Sequence, residues 1–298
     1  MTQNNLGSAV EKFTSRLDQQ AVQGTCTADL NMNQDLLGEM NGAGIINIAT
    51  IATDGLADHV RGKGFVRGGA ELKWNPYQLE FERDREFIVD DMDDAERLML
   101  MTANLMSTFQ NEHVIPEIDA VRFARMAENA GTLETKTYTA ANGALKDVIT
   151  AEEAMQDNGV KLSSCILYCT SSYKGLLREA MPYRMGQGEA PNGTFDTFDD
   201  MRIRVVPTDR FFTKVALLDG VSEGETEGGY KKADDGALLN FMVVHPSAVA
   251  AITRVAKLRY FAPDVNQDDD AHKWQYRLFH DLLAYQNKKQ LIYGTYAG

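Results

Sequence analysis

Between Ala70 and Asp90 apolar and polar residues alternate, and the alternation changes parity part-way. Leu72 and Trp74 alternate with Glu71 and Lys73; further on, Tyr77, Leu79 and Phe81 alternate with Gln78, Glu80 and Glu82. A period of two predicts an extended segment with two distinct faces. The exchange of faces across Asn75-Pro76 predicts a bulge or bend there, because a one-residue slip swaps the faces and proline cannot donate to a ladder. Upstream, the β-branched run Gly44–Ile51 (GIINIATI) predicts a second strand. The two are joined by TDGLADHVRGKGFVRGG, with five glycines. A long Gly-rich connection between strands is expected to project. Its cations Arg61, Lys63 and Arg67 flank Phe65, and these four residues are the candidate contact residues of the chain.

The period then changes from two to between three and four. Ala95, Leu98, Met101, Thr102, Leu105, Met106 and Phe109 form one stripe, predicting a helix from Asp93 to Ile115. Asp93 can cap it, with Glu96 three residues on, and the acids of DDMDD suit the positive end of its dipole. About 22 residues at 1.5 Å each make a rod of about 33 Å. Pro116 is expected to open a second helix at its first position, and Gly131 to end it. Strand-like TLETKTYTA follows, then a helix over Leu145–Gln156, a strand over Lys161–Thr170, a helix after Ser171-Ser172 and a strand over Met201–Pro207. LLNFMVVHPSAVAAITRV is strand-rich, and YRLFHDLLAYQNKKQLIYGTY closes the chain. Such irregular alternation argues for an α+β fold over a doubly wound sheet. Residues 1–40 are polar, with one weak helical stretch near Val10–Leu17, and read as an arm that a neighbour must order.

Composition narrows the function. With 298 residues, 44% hydrophobic and 24% charged, the chain can bury a sizeable core. A net charge of −13 opposes a general nucleic-acid binder, since affinity for phosphates comes from clustered Lys and Arg. The opening MTQNNLGSAV has no basic n-region and no apolar run is long enough for a membrane span, so neither secretion nor membrane insertion is expected. Cys165 and Cys169, read on one strand, are about 13 Å apart at strand rise, too far for a disulfide. With Cys26 they are expected to be reduced and buried.

The candidate chemistry is thin. RGKGFVRGG offers glycines and cations to an anion without the strand, spacing and helix of a phosphate loop. Asp90, Asp91, Asp93 and Asp94 could hold a hard cation, yet their spacing fits no EF-hand and capping explains them better. Asp268, Asp269 and Asp270 read as a solvated turn. Glu112, His113 and Glu117 are separated by the interruption expected at Pro116. Ser163, His245 and Asp219 supply the residue types of a triad, without a G-x-S-x-G elbow. No enzyme, metal or cofactor is expected.

FERDREFIVDDMDDAE followed by NEHVIPEIDAVRF resembles the major capsid proteins of tailed bacteriophages, of the siphophage branch, whose architecture is the Hong Kong 97 fold. MVVHPSAVAAITRV and FAPDVNQDDDAHKWQYRLFHDLLAYQNKK are similar to the end of such proteins, so the resemblance covers Gly44–Tyr293. It implies an N-terminal arm (1–40), an extended loop hairpin (41–90), a peripheral domain with a long spine helix (91–140), an axial domain (141–255) and a return to the peripheral domain (256–298). It also implies self-assembly into hexamers and pentamers of an icosahedral head around double-stranded DNA that is bound without sequence specificity. Portal, scaffolding and decoration proteins would be partners, and the virion, assembled in the host cytoplasm, the location. The family's type member starts with a long scaffolding domain; here the fold begins within about 40 residues, so scaffolding is expected as a separate protein or not at all. The type member also crosslinks through a loop Lys, and Lys63 lies in that loop, with no acceptor assigned. An encapsulin-like compartment shell is the alternative within the fold, and a soluble α+β hydrolase the alternative of another class.

Overall fold

A computed structural model describes residues 24–32, 44–59, 61, 65–90, 100–181, 185–190 and 193–298. β1 (Ile45–Thr53) and β2 (Ala70–Gln78) pair antiparallel as an isolated ribbon, in continuous register from Ile45 opposite Gln78 to Thr53 opposite Ala70. The bulge expected at Asn75-Pro76 is absent, and Pro76 sits inside β2 opposite Asn47. Both strands of a two-stranded ribbon are edges, where proline is tolerated. The parity change has another cause: Leu72 and Trp74 are 56% and 51% exposed, so they mark no core face. The chain breaks instead at Leu79-Glu80, where it leaves the ribbon for β3 (Phe81–Asp90).

The other strands are β4 (Thr132–Thr135), β5 (Ile166–Cys169), β6 (Met185–Ala190), β7 (Gly193–Phe198), β8 (Met201–Val205), β9 (Val215–Leu217) and β10 (Tyr230–Lys232). They are followed by β11 (Leu239–Val244), β12 (Val249–Phe261), β13 (Ala271–Ala284) and β14 (Ile292–Tyr296). A seven-stranded mixed sheet has the order β4-β14-β11-β5-β8-β7-β6; a three-stranded antiparallel sheet has the order β12-β13-β3; β9 and β10 make a small hairpin. The expected boundary between residues 255 and 256 falls inside β12, and the last strand, β14, lies in the seven-stranded sheet between β4 and β11. The strand expected over Lys161–Thr170 is shorter, because Leu162–Ser164 form a 3-10 turn ahead of β5.

The long helix, α1, differs from the expected pair. Leu100–Phe109 are α-helical, Gln110–Val114 form a π turn and Ile115–Glu128 are α-helical again, with helical backbone angles at Phe109 and Ile115 on either side of the π turn. Pro116 does lie in the first turn of the last segment, but no break separates it from the others. An interior proline removes a hydrogen bond and clashes with the carbonyl four residues back; the wider π turn relocates those carbonyls and lets the helix continue. The described rod is about 43 Å long. Its expected cap, Asp91, Asp93 and Asp94, lies outside the described residues. At the far end the helix stops at Glu128, with Asn129 as the cap. Gly131 serves close approach: a Cβ there would stand 2.7 Å from Gln290 Cα and Lys289 O.

The main core joins the seven-stranded sheet to α2 (Ala141–Asp157), α3 (Ser171–Ala180) and the last turns of α1. All four residues of β5 are buried, as are Phe241–Val244 of β11. A strand covered on both faces reads as a continuous apolar run. Phe123 of α1 meets Tyr168 and Phe211 edge-on at 5.3 and 4.7 Å. A smaller core packs Met106, Val114 and Ile118 of α1 on Leu258, Tyr276 and Leu278 of the three-stranded sheet.

The arm expected over residues 1–40 is corrected in part. Thr25–Met32 are built into the subunit, while 1–23 and 33–43 lie outside the described residues. Buried Asp119 of α1 accepts from Cys26 N (2.9 Å), Thr27 N (3.2 Å) and Thr27 Oγ1 (2.8 Å). Fully buried Arg122 donates to Thr27 Oγ1 (2.8 Å), Asn31 Oδ1 (2.8 Å) and Thr253 Oγ1 (2.7 Å). Asp29 takes Arg202 and Arg204 of β8, at 2.9 and 2.8 Å. The segment thus ties α1, β8 and β12 together.

Candidate assembly interface

The ribbon is anchored at one end only. Ile46, Ile48 and Leu79 are buried with Ile252 and Phe279, whereas the described residues of 53–76 are exposed. Gly44, at φ +74, admits the ring of Phe279: a Cβ would lie 2.8 Å from Cε1. The base is locked by buried Asp281 of β13, which accepts from Tyr77 Oη (3.0 Å) and Glu80 N (3.1 Å), one group on each side of the break. Arg125 of α1 closes the joint, pairing with Glu80 and Glu128, approaching Asp281 at 3.6 Å and lying over the Phe81 ring.

From this joint nine paired residues carry the tip about 30 Å outward at strand rise. Asp54 closes the tip at its neck, accepting from Gly69 N at 2.6 Å and donating its own N–H to Gly69 O. Beyond the neck, Leu56, Phe65 and Val66 are exposed, Phe65 at 93%, with Arg61 and Arg67 exposed beside them. Phe65 touches His59 of the same tip, ring centroids 5.6 Å apart. Three of the four sequence-predicted contact residues are therefore described and exposed on one projection; Lys63 lies outside the described residues. Grouped apolar side chains in water mark an interaction surface.

A second surface had no sequence signal. The inner-face arginines of β3 reach the connection between β9 and β10. Arg83 pairs with Glu117 of α1 (2.8 Å) and donates to the carbonyls of Leu218 (2.9 Å) and Gly229 (3.1 Å). Arg85 donates to Thr226 O at 3.2 Å. Burial alone would raise the Glu117 carboxyl, but His280 and Arg83 outweigh it and hold it below the ordinary range. Asp219 is held down to about 2 by the Ser222 hydroxyl and by the backbone N–H groups of Ser222 and Val221. The arginines stand at odd positions of an alternating strand, where the pattern gives the face but not the distant carbonyls.

The other chemical candidates come apart. Glu117 is buried while Glu112 and His113 are exposed, and no set of three His, Cys, Asp or Glu able to hold a metal occurs among the described residues. Asp219 serves its own loop and His245 Nδ1 faces Ser247 Oγ at 2.8 Å; no hydrogen bond joins either to Ser163 among the described residues. Asp268 pairs with Lys273 in the turn before β13. The cysteines are free, and burial raises their thiols to about 12, 11 and 12 at Cys26, Cys165 and Cys169. No helix among the described residues is long and apolar enough to cross a membrane.

An isolated anchored ribbon, a long helix against a three-stranded sheet and a seven-stranded mixed sheet together define the α+β capsid fold of the Hong Kong 97 type. Solved phage structures carry it. A chain from Gordonia phage Cozz matches with TM-score 0.53 at 8% identity, covering 88% of this chain and 83% of that one. One from a structure of bacteriophage P68 that reports its head fiber and inner core protein gives 0.53 at 11%, covering 92% and 85%. The capsid of cyanophage P-SCSP1u gives 0.51 at 12%, covering 86% and 84%. No protein-family model and no curated protein matches the chain.

Proposed function

We propose that this chain is the major capsid protein of a tailed bacteriophage, assembling as hexamers and pentamers into an icosahedral head around double-stranded DNA. The observation that carries the reading is the ribbon: a projection anchored at one end that holds Phe65, Arg61 and Arg67 in solvent. Heterologous contacts of this sort, one surface of a copy against a different surface of the next, close into rings and shells. In family terms the ribbon is the extended loop, α1 the spine helix of a peripheral domain that includes the three-stranded sheet, and the seven-stranded sheet the body of an axial domain. Residues 1–40 contain the arm, of which Thr25–Met32 are held by the subunit itself. The acidic chain encloses DNA without condensing it. Portal, a separate scaffolding protein and decoration proteins are the further partners, the virion is its location after assembly in the host cytoplasm, and its role is structural, without catalysis.

Negative-stain microscopy of the purified protein tests this. Shells or capsomer rings are expected, and a field of small particles alone overturns the reading. Changing Arg61, Lys63 and Arg67 together to Glu is expected to block closure while leaving folded subunits or capsomers; intact shells at normal yield would remove the ribbon from the assembly contact. Single exposed ion pairs contribute only about 0–1 kcal/mol, so cohesion rests on repetition and on apolar anchors such as Phe65.

A further inference from the structure

A cavity of about 410 Å³ lies between β3, the π turn of α1 and the connection Leu218–Gly229. Its floor is aromatic and aliphatic: Phe109 stands edge-on to Phe87 and Tyr276, at 4.9 and 5.6 Å, beside Leu278. Its wall carries acids from two elements, Glu82 and Asp84 of β3 and Asp219 and Glu227 of the connection. The cations of the wall are turned elsewhere, Arg83 to Glu117 and two carbonyls, Arg85 to Thr226 O. Those same bonds hold the acidic connection in place beside an apolar floor.

We propose that this cavity receives the ribbon tip of a neighbouring copy, with Phe65 on the aromatic floor and Arg61, Lys63 and Arg67 against the acidic wall. The inference rests on the shell reading above and names the surface that reading leaves open. Charge and shape both select the tip. It joins a 93% exposed aromatic to flanking cations, while the cavity joins an aromatic floor to acids whose nearest cations are engaged. An aromatic anchor filling a desolvated pocket inside a charged rim is the pattern that concentrates binding energy, and the charges set register and rate. The tip's only ring contact among the described residues is with its own His59, so docking on a second copy displaces nothing from it.

The test is a disulfide between copies. Phe65→Cys and Glu227→Cys alter exposed side chains, and the native thiols are held protonated by burial. In shells of the double variant, mild oxidation is expected to give a ladder of covalent oligomers on a non-reducing gel, absent from either single variant. Phe65→Cys with Asp235→Cys probes the other large groove, of about 670 Å³ beside Val215 and Leu217. Shells that ladder only through Asp235→Cys, or not at all, overturn the cavity as receptor and leave the shell reading standing. An unmodified chain that forms no shells or rings overturns both. A charge exchange gives a second readout: Arg67→Glu lowers shell yield about tenfold, and adding Glu227→Arg restores it. Failure of the exchange to recover yield counts against the pairing even if Arg67→Glu alone is defective.

Discussion

The ribbon and the seven-stranded sheet are both rich in β-branched and aromatic residues, yet they use them in opposite ways. In β5 and β11 the apolar residues are covered on both faces, and Phe241 stacks between Tyr173 and Tyr293 at 4.9 and 6.2 Å. In β2 Leu72 and Trp74 stand in solvent, and only the residues near the joint at Asp281 are covered. Two-stranded ribbons are marginal in isolation. One region is complete within the subunit; the other acquires its covering from a neighbour. Substitutions should therefore separate folding from assembly, and the difference in size between their effects measures how cleanly the two are divided.

The largest effects are expected in the covered region. Phe123→Ala empties the junction of Phe123, Tyr168 and Phe211 and should cost about 3–5 kcal/mol, read from the urea midpoint of dispersed subunits. Arg122→Ala should cost as much, about 3–5 kcal/mol, because it breaks a buried charged network and unties Thr25–Met32 from α1. Burial lowers the Arg122 guanidinium to about 10, against the pull of Asp119, so it is charged at neutral pH. If either variant melts like the parent, the division between the two regions is wrong.

A smaller effect is expected where the regions meet. Glu117 faces Arg83 from β3 and His280 from β13, whose Nε2 lies 3.6 Å from Oε1. Its folded value is below the ordinary 4.5, so as pH falls the unfolded chain takes up the proton first. The stabilisation is complete above the unfolded value and is lost as pH falls through the folded one. Glu117→Gln should cost about 1.5–3 kcal/mol at pH 7 and flatten the fall of the urea midpoint between pH 7 and 4. An unchanged slope would assign the acid response to other carboxylates.

The covered region was also the harder one to read. Periodicity located α1, the ribbon strands and the contact residues Arg61, Phe65 and Arg67, because exposure and alternation are local properties. It missed the π turn, since Pro116 signals a stop when read alone and only the following apolar residues, Ile118, Val121 and Phe123, reveal the continuation. It missed the clasp of Asp119 and Arg122 on Thr27, whose members lie more than 90 positions apart. The acid-walled cavity was equally hidden, because Arg83 meets Leu218 O and Gly229 O only after the sheet has formed. The misplaced bulge at Pro76 came from treating Leu72 and Trp74 as core residues, an inference that apolar character alone does not support.

The smallest effect on folding is expected at Trp74. Its side chain is about half exposed on a strand whose partner, β1, is an edge, and the joint at Asp281 that fixes the ribbon lies beyond it. Trp74→Ser should change subunit stability by no more than about 0.5 kcal/mol, the usual range for surface sites. An isolated protein gains nothing from keeping tryptophan there. A shell subunit does if the ribbon lies along its neighbour, because a large aromatic supplies apolar area at little entropic cost. The same substitution should therefore lower shell yield while leaving the urea midpoint in place. A midpoint that falls by more than about 1 kcal/mol would mean that the ribbon is part of the subunit's own core, and the contrast between the two regions would fail at its exposed end.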